Sequence, residues 1–467
     1  MTARALTGRI RELIEHGQDL LAGGSLKGKI LRNVGWMAIG FGSDLVVRLI
    51  SSAILTRLLE PSAYGLISTV MVFMVFVTLL SDLGIKPIVT ADERGDEPGF
   101  LSILWTMQVM RGFVSAAVVC LIAMGWQYAL AVHWIGPASN YANPLLPQLM
   151  YLVSLALVLM GFSSLNEYRL LRHLEGGPTT RLDIVSRLFT SVVTVVLALI
   201  FRSVWAIALG MVLSYGMRAL LSHFMLAGPR MKLRFDWPEI KKVLTLSRWV
   251  ALNSFMTVLT TQADKVLIGW GFGLATLGIY SIALSLYSSG ASVVDRLNGS
   301  LGIPVIRALV DKSEADRMRD YYKFRLPIDA YCIAGGTAMV LLGPLFFKLV
   351  YDPRYAAGGL YFALFGIKLI LMPLHLSGNF LFAQLRYRLM SMIGMLRSII
   401  FLSGMALSVW LQSIHIMMIF IALENLPEIL TYYMLRRTGI PFKANRDGLL
   451  LGVASLLGLY LLVISRL

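Results

Sequence analysis

Charge is what this sequence has least of. Only 15% of its 467 residues are Asp, Glu, Lys or Arg, where a soluble domain carries about a quarter. Hydrophobic residues make up 57%, and the mean hydropathy is +0.72. Cysteine is almost absent too. Its two copies, Cys120 and Cys332, lie inside apolar runs, which reads as buried packing and not as a disulfide or metal site. The N-terminus has no apolar core with a cleavage site, so a signal peptide is not expected. No Walker glycine loop is present, and the Gly271/Gly273 pair joins two apolar runs without a preceding strand, so it is no dinucleotide fingerprint. Nothing carries a cofactor or metal signature.

What is present is long apolar runs. A spanning helix needs about 20 such residues. That rule predicts spans near 35–56, 64–89, 101–126, 146–167, 184–201 and 204–226, then 248–268, 276–304, 326–347, 358–383, 391–411 and 414–435, with a thirteenth at 447–464. The net charge of +16 would suit nucleic acid if it lay on one soluble face, but the cations cluster in short segments between runs. With the N-terminus in the cytoplasm, about 29 of the 42 Lys and Arg fall in cytoplasmic segments and about five outside. Residues Leu6, Ile10, Leu13, Ile14, Leu20 and Leu21 share one helical face, which suits a short amphipathic helix on the membrane surface or a disordered tail.

A polar stretch divides the chain. The expected organisation is an N-terminal segment (1–33), a six-helix half (34–226), a cytoplasmic linker (227–246), a second six-helix half (247–435), and a final linker with an extra span (436–467). Each half opens with an apolar span, a short turn and a glycine beside an aromatic: TRLLEPSAYGL with Gly65, and GFGLATLGIY with Gly278. Six is even, so the halves share one orientation. The fold expected is an all-α polytopic bundle with a pseudo-twofold axis along the membrane normal.

The TRLLEPSAYGL turn, the pattern from Asp264 to Tyr280 (DKVLIGWGFGLATLGIY), the LRFDW linker and the NGSLGIPV run from Asn298 to Val305 together resemble the polysaccharide-transport branch of the multidrug/oligosaccharidyl-lipid/polysaccharide exporter superfamily. The resemblance spans nearly the whole chain; the thirteenth span departs from a plain twelve-helix core. It implies a flippase carrying undecaprenyl-pyrophosphate-linked saccharide across the bacterial inner membrane. A polymerase and glycosyltransferases are the partners expected with such an activity. Its energy source is either an ion gradient, with H+ or Na+ as the coupling ion, or downstream consumption of the product.

A charge in a bilayer costs at least about 2.5–3.5 kcal/mol, so it usually faces a cavity or a partner. Mid-span positions hold Asp44, Arg48, Arg111, Arg218, Lys368 and Glu424, four cations against two anions. Arg48, Arg111, Arg218 and Lys368 are the candidates for a pyrophosphate headgroup, which Arg pairs bidentately. Arg111 and Lys368 lead, having no opposite charge within one helical turn. Asp44/Arg48 and Asp183/Arg187 are i,i+4 pairs that can neutralise themselves. Glu424, near Pro427, and Asp264 are candidates for ion coupling; Asp264 can equally anchor the repeat's turn.

Two other functions compete. A cation-coupled exporter of small amphiphiles would favour an acidic cavity. A membrane glycosyltransferase or ligase needs a carboxylate or base on a sizeable loop. The longest outer loop, Gln127 to Gln148, contains no Asp, Glu, Lys or Arg, which argues against catalysis; His133 there reads as an interfacial residue.

Overall fold

The computed structural model describes residues 26–136, 139–173, 175–310, 312–384, 386–434 and 441–464. Every regular element among them is a helix. The expected amphipathic N-terminal helix falls at 1–25, outside the described residues.

The first half contains α1 (Leu26–Leu58), α2 (Pro61–Leu80), α3 (Pro98–Ala131), α4 (Leu145–Gly161), α5 (Gly176–Phe201) and α6 (Val204–Met225). The second contains α7 (Trp237–Phe272), α8 (Leu274–Leu297), α9 (Glu314–Val350), α10 (Gly358–His375), α11 (Tyr387–Trp410), α12 (Ile414–Ala422) and α13 (Leu426–Met434). A last helix, α14 (Ala444–Ile464), follows. Local chemistry sets several starts. Proline occupies the first turn of α2, α3 and α7, where a missing N–H costs nothing. The Asp236 side chain accepts from the Glu239 N–H at 3.3 Å to cap α7. Gly273, at φ 92°, lets α7 turn straight into α8.

Ten described helices are long and apolar enough to cross a membrane, or eleven when α4 and the Asn166–Arg172 helix, bent by 52°, count as one span. Leu, Ile and Val such as Ile50 and Ile54 on α1 and Val192 and Ile200 on α5 are exposed, as lipid-facing positions must be. This is a multi-pass membrane protein. Helical segments overlie each of the thirteen predicted spans, yet irregular backbone lies inside five of the runs. The 358–383 run passes through a 3-10 turn at Leu376–Gly378. The 64–89 run stops at Leu80, turns through Gly84 at φ 64°, and resumes as Ile85–Ala91. The 146–167 run bends after Gly161. The 276–304 run passes through a turn of π-helix at Asn298–Gly302. The 414–435 run breaks between Ala422 and Leu426. The breaks carry polar and small residues, as at Ser81 and Asp82, Ser163 and Ser164, Asn298 and Ser300, and Glu424 and Asn425, but they are too short to end a run in a hydropathy profile.

The two halves meet as the repeat requires. A Cβ on Gly65 would lie 1.9 Å from the Leu274 carbonyl oxygen, and one on Gly278 would lie 1.9 Å from the Pro61 carbonyl oxygen. Ser68 donates to Ser281 at 2.6 Å across a separation of 213 residues. The same separation relates Gly65 to Gly278 and Pro61 to Leu274. Reciprocal contact between equivalent residues is the signature of a twofold axis, which here runs between α2 and α8. Close backbone approach at small residues is how membrane helices associate where lipid is as apolar as the side chains.

Toward the same end of the bundle the loops cross over reciprocally. From the α3–α4 loop, Asn140 donates to the Trp270 carbonyl at 2.9 Å and Tyr141 to the Val266 carbonyl at 2.8 Å, both near the end of α7. From the α9–α10 loop, Tyr355 donates to the Leu59 carbonyl at 2.9 Å, and Tyr351 shares a 2.8 Å hydrogen bond with Ser52 of α1. Each half thus clasps the end of the other's first helix. The extra helix is fixed at the opposite end. Fully buried Arg325 of α9 bonds Asp329 at 2.9 Å and Asp447 of α14, and Tyr322 donates to Asp447.

Candidate functional site

Polar side chains inside the first half form a continuous lane. On α1, Asp44 accepts from Arg48 at 3.3 Å and forms an ion pair with Arg187 of α5 at 2.5 Å. One turn before Arg187 on α5, Asp183 pairs with Arg218 of α6. Arg218 also reaches both oxygens of Glu167, at 3.0 and 3.1 Å, from the short helix beyond the α4 bend. Arg48 continues toward the second half, donating to the Ser285 hydroxyl of α8 at 2.7 Å.

Two cavities open on this lane and share Tyr215 and Arg218. One, of about 370 Å³, lies over Asp183 and Arg187. The other, of about 360 Å³, is bounded by Asp82, Lys86, Arg111, Glu167, Tyr168 and Arg218. The breaks in the predicted spans create it. The bend after α4 and the turn after α2 swing Glu167 and Lys86 inward on their short helices, and Gln108 holds the bend by donating to the carbonyls of Gly161 at 3.0 Å and Ser163 at 2.9 Å. Arg111 on α3 is held more loosely than Arg218. Its contacts are 3.8 Å to Asp82, beyond hydrogen-bond reach, and 3.4 Å to the Thr78 carbonyl, near the outer limit of a hydrogen bond.

The structure thus brings Arg111 and Arg218 to one cavity, with Arg48 farther along the lane. Lys368 belongs to the second half, where it bonds Glu424 at 2.6 Å and lies 5.8 Å from the Tyr287 ring centroid. Glu424 sits in the break between α12 and α13, before Pro427. Asp264 is buried and accepts from Tyr280, so it ties α7 to α8.

Arg111 and Lys368 have no opposite charge within a turn of their own helices, and each meets a carboxylate from a break in another run, Asp82 after α2 and Glu424 between α12 and α13. Two expectations change. Arg187 and Asp183 pair outward, to Asp44 and Arg218, instead of with each other, while Asp44/Arg48 pair as expected. The mid-membrane surplus of cations shrinks as well, because Arg48, Arg111, Arg187 and Arg218 face Asp44, Asp82, Asp183 and Glu167. Lys86 at the rim leaves a small positive remainder. Sequence reasoning missed Asp82, Lys86, Glu167, Tyr168 and Tyr215, which lie at span ends or carry no mid-span charge.

Outside the spans, the α2–α3 connection is pinned beneath this cavity. His173 hydrogen-bonds Asp96 at 2.8 Å, and Arg172 and Arg169 approach the same carboxylate at 3.4 and 3.7 Å. These partners, His173 first, hold the Asp96 carboxyl below its ordinary range.

Residues 54–331 match the family model described as polysaccharide biosynthesis protein. The chain belongs to that family. It is similar to an uncharacterised membrane protein of the cps region of Klebsiella pneumoniae, at 22% identity over 71% of this chain and 66% of that one. It is also similar to the lipopolysaccharide biosynthesis protein WzxC of Escherichia coli K12, at 20% identity over 71% and 65%. The matches therefore span just under two thirds of those relatives' length. In fold it resembles an inward-facing MATE multidrug transporter of the MOP superfamily (TM-score 0.65, 11% identity, 85% of this chain and 94% of that one). It likewise resembles the lipid II flippase MurJ in an inward closed conformation (TM-score 0.59, 12% identity, 92% of each). The two-lobed helical bundle is common to this chain and these two solved structures.

Proposed function

We propose that this protein flips a polyprenyl-pyrophosphate-linked oligosaccharide, or a related polysaccharide precursor, from the cytoplasmic to the periplasmic leaflet of the bacterial inner membrane. It acts as a transporter and not as an enzyme. The observation that carries the reading is the polar lane inside a chain of the polysaccharide biosynthesis family, with Arg111 weakly engaged at its cavity. A phosphate oxygen outcompetes a carboxylate 3.8 Å away for that guanidinium.

The distribution of basic segments supports a cytoplasmic N-terminus, and with it a periplasmic position for the clasped end with Tyr141 and Tyr355. The headgroup enters from the cytoplasmic side and pairs with Arg111, then with Arg218 and Arg48 along the lane, while Lys368 acts from the other half. The polyprenyl tail stays in lipid. The halves 34–226 and 247–435 rock about the α2–α8 contact, and opening toward the periplasm breaks the loop clasp. Glu424 and Asp264 are the acids available for coupling to H+ or Na+. A polymerase and glycosyltransferases would act on either side of the step. The alternative, a cation-coupled exporter of small amphiphiles, draws support from the near balance of acids and bases in the lane.

The test is reconstitution. Vesicles containing the protein and a polyprenyl-diphosphate-linked saccharide should expose the saccharide to a lectin outside, and Arg111→Ala should slow this at least tenfold with insertion unchanged. Normal flipping by both Arg111→Ala and Lys368→Ala would remove the headgroup assignment. Transport of a cationic amphiphile without saccharide flipping would favour the exporter.

A further inference from the structure

The LRFDW linker does more than join the halves. It leaves α6 after Met225 and enters α7 at Trp237, and it is docked on the first turns of α3. The Lys232 N–H donates to the Ser102 hydroxyl at 3.4 Å and the Arg234 N–H to the Thr106 hydroxyl at 2.9 Å. Arg234 lies over Gly99, where a Cβ would come within 2.7 Å of its guanidinium. With the backbone fixed this way, Leu233, Phe235 and Trp237 are left 69%, 63% and 59% exposed. The Phe235 and Trp237 rings stack with centroids 6.1 Å apart and planes 13° from parallel, so both project on one side.

The docking level matters. At about 1.5 Å per residue, the 34 residues of α3 extend ~51 Å, against a hydrocarbon core of about 30 Å. A centred α3 protrudes roughly 10 Å at each end. Ser102 and Thr106 lie ~6 and ~12 Å from its start, so the linker rides at the boundary between headgroups and acyl chains. Around it are the exposed cations Arg230, Lys232, Arg234 and Lys241, while exposed Lys242 is paired with Glu239 and faces away from this group. The two acids of the stretch are already engaged, Asp236 as the α7 cap and Glu239 with Arg94 at 3.4 Å and Lys242 at 2.9 Å.

We infer that this linker is a membrane-surface anchor: Leu233, Phe235 and Trp237 insert at the interface of the leaflet on that side, and the surrounding Lys and Arg bind anionic phospholipid headgroups. Apolar and aromatic side chains interleaved with basic ones are the composition that such surfaces hold. The anchor fixes the origin of α7, and so of the second half, relative to the bilayer.

Spin-label depth measurement tests this without any transport assay. In the full chain with Cys120→Ala and Cys332→Ala, nitroxide labels are attached through Leu233→Cys, Phe235→Cys and, as a water-facing reference, Lys242→Cys. The protein is placed in vesicles of phosphatidylcholine alone or with phosphatidylglycerol. Labels at 233 and 235 are expected to collide several-fold more with oxygen than with a water-soluble nickel chelate, the reverse of 242, and to move deeper when phosphatidylglycerol is present. Arg230→Gln with Lys232→Gln and Lys241→Gln should abolish that lipid-dependent shift. Nickel accessibility at 233 and 235 equal to that at 242 would overturn the anchor. So would protection from both reagents, because protein and not lipid would then cover the patch.

Discussion

Removing the two tyrosine hydroxyls that clasp the halves should open the clasped end. Tyr141 and Tyr355 each donate one hydrogen bond to a backbone carbonyl of the opposite half. A neutral bond of this kind contributes about 0.5–1.5 kcal/mol net. Tyr→Phe keeps each ring, including the edge contact of Tyr355 with Tyr64 at 5.9 Å, so packing is largely conserved. Tyr141→Phe with Tyr355→Phe should therefore shift the equilibrium toward the open state by about 1–3 kcal/mol, roughly 5–150-fold. The sites contact different helices, so the single effects should nearly multiply. The assay is maleimide labelling at Ser68→Cys on the pseudo-twofold axis, in a background without native cysteine, with an impermeant reagent added on the side of the 351–357 loop. Labelling should accelerate in each single variant and most in the double. An unchanged rate in the double variant refutes the clasp, as does an equal acceleration with reagent applied from the α3 start.

At the α2–α8 crossing, Gly65→Ala or Gly278→Ala forces a Cβ to within 1.9 Å of a carbonyl oxygen, so both should lower melting temperature and folded yield. Gly125→Ala, which meets nothing within 4 Å, should not, and equal behaviour of the three would count against close packing there. Replacing Asp447 with Ala leaves Arg325 buried with Asp329 as its remaining carboxylate. Breaking such a pair costs about 3–5 kcal/mol, visible as early loss of α14 in thermal proteolysis; wild-type resistance would contradict the anchoring. In the α9–α10 loop, the Arg354 side-chain hydrogen bond, then its backbone N–H, holds Asp352 below its ordinary carboxyl range. Its contribution to loop order is therefore present above about pH 3.9 and lost as pH falls through the lower folded value. A carboxyl-carbon NMR titration should give a midpoint that Arg354→Ala raises, and an ordinary midpoint in the unaltered protein would exclude the interaction.

The bundle was legible in the sequence because its determinants are local. Twenty apolar residues make a span whatever they touch, and the shared glycine turns at Gly65 and Gly278 announced the repeat. The charged lane was only half legible. Arg48, Arg111 and Arg218 stood out because a cation at mid-span is costly wherever it points, but what each one meets depends on rotation about helices that no spacing rule relates. Glu167 shows why. It is the last residue of the predicted 146–167 run, and the 52° bend after Gly161 turns it under Arg218. The same bend, with the turn at Gly84, places Lys86 and Tyr168 around Arg111. Interruptions of the spans, which an apolar profile conceals, are therefore what assemble the site. This is the expected place for them, since irregular backbone at membrane depth is tolerated only where protein or a polar cavity satisfies it. A search for candidate sites in such chains should begin at glycine and serine within predicted spans and then ask which charges stand one turn beyond.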